Sequence, residues 1–234
     1  DSFFKLAPWL YLFLIPAVTM RLFAEEKRSG TIELLLTRPL GDFQLVFAKF
    51  LAALALVAFT LLPTLIYFFS VYQLGNPVGN LDAGSTWGAF IGLFLLASIY
   101  ISIGLFSSAV SDNQIISFIL SMLVSFVFYL GFEFIAGSGI PYFLEKAITW
   151  LSINDHYLSI SRGVVDLRDS LYFVGLTGFF LFLTILFLRK SRISWSRLKN
   201  WLLGLLVAIL FLFLVSENLH YRIDLTAERR YSLS

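Results

Sequence analysis

The sequence predicts an all-α fold, a polytopic transmembrane bundle of about six spans with a short amphipathic helix in its first cytoplasmic loop and an amphipathic or re-entrant segment on the outer side. Three observations carry this. Only 14% of the 234 residues are charged, against about 25% in an ordinary soluble domain, so there is too little charge to cover a water-facing surface. The mean hydropathy is +0.85, with 26 Phe. The apolar residues also gather into runs of the roughly 20 residues that a bilayer-spanning helix needs. A membrane β-barrel would instead alternate apolar and polar residues in segments of about ten, and the stretch Leu202-Leu203-Gly204-Leu205-Leu206-Val207 does not alternate.

Six runs qualify in chain order: 6–23, 43–72, 87–110, 115–135, 171–188 and 201–219. Pro16 and Pro63 fall inside the first and second, where each removes one backbone donor. The third carries a series of small residues, Gly88, Gly92, Ser98, Ser102, Gly104, Ser107 and Ser108, and reads as a close-packing face. Orientation follows from Lys and Arg. The first loop region holds Arg21, Lys27, Arg28, Arg38 and Lys49, and the loop before the sixth run holds Arg189, Lys190, Arg192, Arg197 and Lys199. Four crossings separate these two loops, so both lie on one side, the cytoplasmic one. The stretches 74–86 and 136–170, which are poor in Lys and Arg, then face outward, as do both ends of the chain. Segment 136–170 is too long for an idle connector. Its portion 140–151, with Tyr142 and Trp150, reads as a short amphipathic helix at the headgroup layer or dipping back into it.

The first cytoplasmic loop is the strongest local feature. Gly30 ends the helix leaving the membrane, Ser29 or Thr31 suits the cap of the next helix, and Glu33 favours that helix's positive end. Ile32, Leu35, Leu36 and Pro39 share one face by helical spacing, and Pro39-Leu40-Gly41 stops the helix. Such an element either rests on lipid or docks another protein.

The stretch Glu-Glu-Lys-Arg-Ser-Gly-Thr-Ile-Glu-Leu-Leu-Leu-Thr-Arg-Pro-Leu over 25–40, followed by Ala48-Lys49-Phe50, resembles the coupling-helix region of type-2 ABC exporter permeases. More narrowly, Leu6-Ala7-Pro8-Trp9, Pro16-Ala17-Val18-Thr19-Met20-Arg21, Phe23-Ala24-Glu25-Glu26-Lys27-Arg28 and Ser161-Arg162-Gly163-Val164-Val165-Asp166 are similar to permeases of gliding-motility ABC systems. The resemblance covers roughly residues 6–188. It implies a permease subunit in a bacterial inner membrane that binds no cofactor itself, pairs with a second permease copy, and is driven by a separate P-loop ATPase subunit that holds the ATP. The residues it assigns to ATPase coupling are Glu25, Glu26, Gly30, Thr31, Glu33, Leu34, Leu35 and Pro39. The family has a further span ahead of this chain's first, which together with the non-Met start leads us to expect a piece of a longer protein. The stretch from Tyr221 to Ser234 resembles the opening of the auxiliary subunit of the same systems. The expected division is therefore a permease domain over 1–190, then a basic linker, a membrane anchor and the start of an outer auxiliary domain over 191–234.

Other chemistry is poorly supplied. The absence of Cys excludes thiol nucleophiles, disulfides and thiolate–metal sites. His156 and His220 have no partner at metal-ligand spacing, and no Gly-x-x-x-x-Gly-Lys-Ser/Thr loop allows ATP hydrolysis by the chain itself. Ser152 and Asp155-His156 hold triad residue types without the sequence elbow of a nucleophile. A net charge of +2 with no basic–aromatic run gives nothing for nucleic acid to bind. Glu133 is the one carboxylate deep in an apolar run and thus a candidate intramembrane polar site. It is the group that an alternative reading, an ion- or proton-coupled carrier, would use. A second alternative is a non-transport anchor for a motility or secretion assembly, suggested by the tail after residue 219. Asp112-Asn113-Gln114 reads as a turn and helix cap.

Overall fold

The computed structural model describes residues 2–32, 41–74, 83–137, 141, 145, 148–189, 204 and 222–224. Its elements are α1 (Ser2–Thr19), α2 (Ala24–Arg28), α3 (Asp42–Leu74), α4 (Ala83–Val110), α5 (Gln114–Phe126), a π-helical turn (Val127–Gly131), α6 (Phe132–Ala136), α7 (Ile153–Ser161), β1 (Val164–Asp166), α8 (Leu167–Arg189) and β2 (Arg222–Asp224). Five helical stretches among the described residues are long and apolar enough to cross a membrane: Phe3–Arg28, Asp42–Leu74, Ala83–Val110, Gln114–Ala136 and Leu167–Arg189. They match the first five predicted runs, and the chain is a multi-pass, all-α membrane protein. The sixth run, 201–219, lies outside the described residues except for Gly204, which is helical.

The helix ends have identifiable local causes. Asn113 caps α5, its side-chain oxygen accepting from the Ile115 backbone N–H at 2.9 Å, as the turn reading of Asp112-Asn113-Gln114 requires. Gly30 has φ of +71°, the left-handed conformation in which a helix commonly terminates. Asp42 opens α3 and Arg189 closes α8, each placed favourably for its helix dipole. The two residues also join, Arg189 Nε donating to Asp42 Oδ2 at 2.6 Å, so the start of α3 and the end of α8 are tied at one end of the bundle.

Helix α4 is the axis of the molecule. In its most apolar window 72% of the residues are buried, against 22–39% in the other four, and α1, α3, α5, α7 and α8 all pack on it. Its small residues make this possible. A Cβ on Gly88 would lie 2.8 Å from the Gly163 Cα, one on Gly92 would touch the Tyr157 ring at 3.3 Å, and one on Gly104 would lie 2.6 Å from the Thr19 Cβ. The close-packing reading of this series therefore holds along the whole span. Two polar members of the series bond within the bundle: Ser102 donates to the Ile99 carbonyl, and Ser98 pairs with Thr177 of α8 at 3.1 Å, whereas the buried Ser107 hydroxyl finds no partner among the described residues.

Two features of the outer side were not anticipated. Most of the amphipathic stretch 140–151 lies outside the described residues, and its positions 145 and 148–150 are helical. The first unanticipated feature is α7, later in the same segment. Ile153, His156, Tyr157 and Ile160 recur at helical spacing and are buried, which folds α7 back onto the bundle. The second feature is a strand pair that apolar periodicity did not announce. β1 and β2 form a two-stranded antiparallel ribbon with Val164 opposite Asp224, Val165 opposite Ile223 and Asp166 opposite Arg222. Three residues per strand are too few for the alternation that reveals a strand in sequence.

Candidate functional site: the cytoplasmic end of the bundle

By its charge asymmetry the end carrying α2 is the one expected to face the cytoplasm, and the two ends are called cytoplasmic and outer on that expectation. At the cytoplasmic end the chain leaves α1, turns through residues 20–23 and forms α2. The opening N–H groups of such a helix lack intrahelical partners, and Ser108 of α4 meets this need. Its hydroxyl oxygen accepts from the Phe23 and Ala24 N–H groups at 2.9 and 3.0 Å and donates to the Met20 carbonyl at 3.0 Å. Phe23 and Ala24 are both fully buried. The element is seated on α4, not hung from a loose loop.

A second attachment comes from Lys49. The sequence groups it with the first loop's cations, but it lies inside α3, on a largely buried side chain. Its ammonium bonds to Glu26 Oε1 and the Leu22 carbonyl, both at 2.5 Å, and lies 4.8 Å from the centroid of the Phe23 ring. A cation within an apolar run needs such partners, a signal present in the sequence but not pointing to any particular acid. Lys27 meets Asp112 of the α4–α5 turn at 3.4 Å and lies over the Phe187 ring of α8 at 5.1 Å. Helices α3, α4 and α8 and the α4–α5 turn thus converge on α2.

The residues predicted to couple to an ATPase divide accordingly. Glu26 is turned inward to Lys49, whereas Glu25 is exposed. Gly30 makes the turn its conformation permits. Ser29 and Thr31 bond backward: the Ser29 hydroxyl donates to the Glu25 carbonyl at 2.9 Å and the Thr31 hydroxyl to that of Glu26 at 3.3 Å, closing the end of α2. Ile32 is half-buried against the chain's own core. Glu33, Leu34, Leu35 and Pro39 lie outside the described residues.

At the opposite end, Glu133 sits in α6 on an exposed face, accepting from Asn154 Nδ2 at 3.1 Å. Asp155 lies near enough to feel its charge. Burial and then the Glu133 carboxylate push the Asp155 carboxyl above its ordinary range, while His156 acts in the opposite sense. His156 is buried. Its Nδ1 lies 2.7 Å from Asp169 Oδ1 and its Nε2 3.0 Å from the Trp150 carbonyl, with the Tyr172 ring stacked on it at 3.9 Å. Asp169, thirteen residues along and in the first turn of α8, is the partner that sequence reasoning missed. Ser152 donates to the Tyr129 carbonyl in the π-helical turn at 3.4 Å, so the triad residue types form no nucleophilic array. No group of three or more His, Asp or Glu among the described residues is arranged to hold a metal.

The cytoplasmic end is thus a platform: a short acidic–basic helix pinned at its start, followed by a sharp glycine turn and an apolar segment. None of the curated proteins compared with the chain matches it. The family model described as "ABC-2 family transporter protein" matches residues 10–216, running past the end of α8 and taking in most of the sixth apolar run. With that match over most of its length, and with the five spans and the anchored loop helix above, the chain belongs to the ABC-2 transporter family, whose members are multi-pass membrane subunits.

Proposed function

We propose that the chain is the permease subunit of an ABC exporter in a bacterial inner membrane, and that a separate P-loop ATPase drives it by docking on the first cytoplasmic loop. The observation that carries this reading is the seating of α2. Ser108 ties its start to α4, Lys49 ties it to α3, and Lys27 reaches the α4–α5 turn and α8. A push delivered to the loop would therefore reach α3, α4 and the α4–α5 turn through polar contacts and α8 through the Lys27–Phe187 contact. Glu25 and the face of Leu35, Leu36 and Pro39 would meet the ATPase; Glu26, Gly30 and Thr31 would hold the loop's shape. Two permease copies would form the path, with ATP held in the partner. The motifs at 6–28 and 161–166 favour a gliding-motility system. The boundary near residue 190, with an anchor and outer auxiliary segment beyond it, belongs to the same proposal.

The test is Leu35→Asp. It is expected to leave membrane insertion intact and to abolish co-purification of a P-loop ATPase along with ATP-dependent export. A mutant that retains both the ATPase and export overturns the docking role. The carrier reading draws no support from Glu133, which lies exposed at the outer end instead of enclosed among the spans.

A further inference from the structure

Strand β1 is held more firmly than a three-residue strand in a membrane protein's outer loop needs to be. At its start, Gly163 has φ of +90°, a conformation that strains any other residue. A Cβ there would lie 2.9 Å from the Gly84 carbonyl carbon and the Ser85 nitrogen. Ser85 also donates to the Ser161 carbonyl at 3.1 Å, so the backbone entering β1 is locked to the outer end of α4. At the far end, Asp166 accepts from the Arg168 N–H at 3.0 Å and its carbonyl accepts from Ser170 at 3.1 Å, which fixes β1 to the first turn of α8. Both ends of the strand are thereby fastened to the two helices with the most extensive mutual packing in the bundle. A strand so held presents backbone donors and acceptors that need a partner. The partner is the segment Arg222–Asp224, which follows the last apolar run by a few residues.

We propose that β1 is a strand-docking edge on the outer face of the permease, that its occupant is Arg222–Asp224 of the same chain, and that it fastens whatever follows residue 224 to the α4–α8 pair. Recognition of this kind rests on main-chain hydrogen bonds and a fixed register, as in strand addition generally. Its consequence is mechanical. An outer element attached here moves with α4, the helix that also carries Ser108 and the seat of α2 at the cytoplasmic end. The inference is independent of the ATPase reading: it concerns the opposite end of the bundle, and its failure would leave the Leu35→Asp test untouched.

The chain has no Cys, so introduced thiols report without background. Directly opposed residues of antiparallel strands have Cβ atoms about 4.5–5.5 Å apart, and diagonal ones about 7–8 Å; a disulfide needs about 3.5–4.5 Å. The experiment compares Val164→Cys/Asp224→Cys and Val165→Cys/Ile223→Cys, both in register, with the offset pair Val164→Cys/Arg222→Cys, in the full chain in native membranes under mild oxidation. Neighbouring pairs alternate between the close and wide geometries, so testing both covers each. The expected result is loss of labelling by a maleimide-coupled polymer in at least one in-register pair, restored by reductant, with the offset pair still labelled. Adding Gly163→Val should restore labelling by displacing β1. Equal protection of all three pairs, or of none, overturns the docking edge. Disulfides that join two copies, seen as a band of twice the mass, overturn the assignment of the occupant to the same chain.

Discussion

The two ends of the bundle are built on opposite electrostatic principles. At the cytoplasmic end the ion pairs are partly open to solvent: the side chains are 16% and 25% exposed in Lys49–Glu26, 19% and 77% in Lys27–Asp112, and 43% and 16% in Arg189–Asp42. At the outer end one pair, His156–Asp169, is sealed at 9% and 8%. It is walled by Tyr172 stacked on the imidazole and by Trp150 set edge-on to both rings. Solvated pairs are individually weak and tolerate rearrangement. A sealed pair is costly to break, because removing one partner leaves a buried polar group unanswered. The comparison teaches that the end expected to move carries ion pairs that can rearrange around the Ser108 seat, while the outer end is held by a sealed pair that resists change.

The sharpest way to break this contrast is at the sealed pair. Asp169→Ala should destabilise the protein by about 1–3 kcal/mol, the range for leaving a buried hydrogen-bonding group without its partner, read as thermal unfolding in detergent. The double variant His156→Phe/Asp169→Leu should recover most of that loss, since an apolar replacement of both partners removes the unanswered group. A single variant as stable as the parent would mean that the outer end is no more rigid than the other.

A smaller effect is expected at the cytoplasmic end. Glu26→Gln should cost about 1 kcal/mol, typical of a partly solvated pair. Its effect should shrink in high salt, whereas that of Asp169→Ala should not. A salt-independent loss several times larger would show that the Lys49 pair is as closed as the outer one. The smallest effect concerns pH. The Asp155 carboxyl is raised in the folded chain, so between the ordinary value of 3.8 and the raised one the folded state binds more protons than the unfolded state. Stability should therefore fall as pH rises through that window, and the penalty should be fully present above it. Asp155→Asn is expected to flatten this slope, measured as midpoint temperature against pH.

Much of the fold was legible because apolar runs and bilayer thickness leave few alternatives. The five described spans coincide with runs read from residue type alone, and Gly30, Asn113 and the small residues of α4 each act as their chemistry suggests. The candidate site was legible only in outline. Glu25 and Glu26 are neighbours of the same type, yet one is exposed and the other paired with Lys49. That difference depends on which way α2 rolls once Ser108 grips its start. Ser29 and Thr31 were expected to cap the following helix, yet their hydroxyls bond back to α2. Helix α7 was missed because its mixed polarity suits a surface segment, and its buried face has meaning only against α4 and α8.

By itself, then, the sequence determined that this chain lives in a membrane, where its five described spans lie, and which loop carries the acidic–glycine–apolar pattern. These follow from local composition, which acts through hydropathy and backbone preference over a few turns. Only the tertiary structure decided that α4 is the axis, that Ser108, Lys49 and Asp169 are the residues that fasten the ends, and that β1 meets β2. Each of those contacts joins residues 13 to 88 positions apart, and a hydrogen bond across such a distance is set by how helices pack, not by any neighbour in the chain.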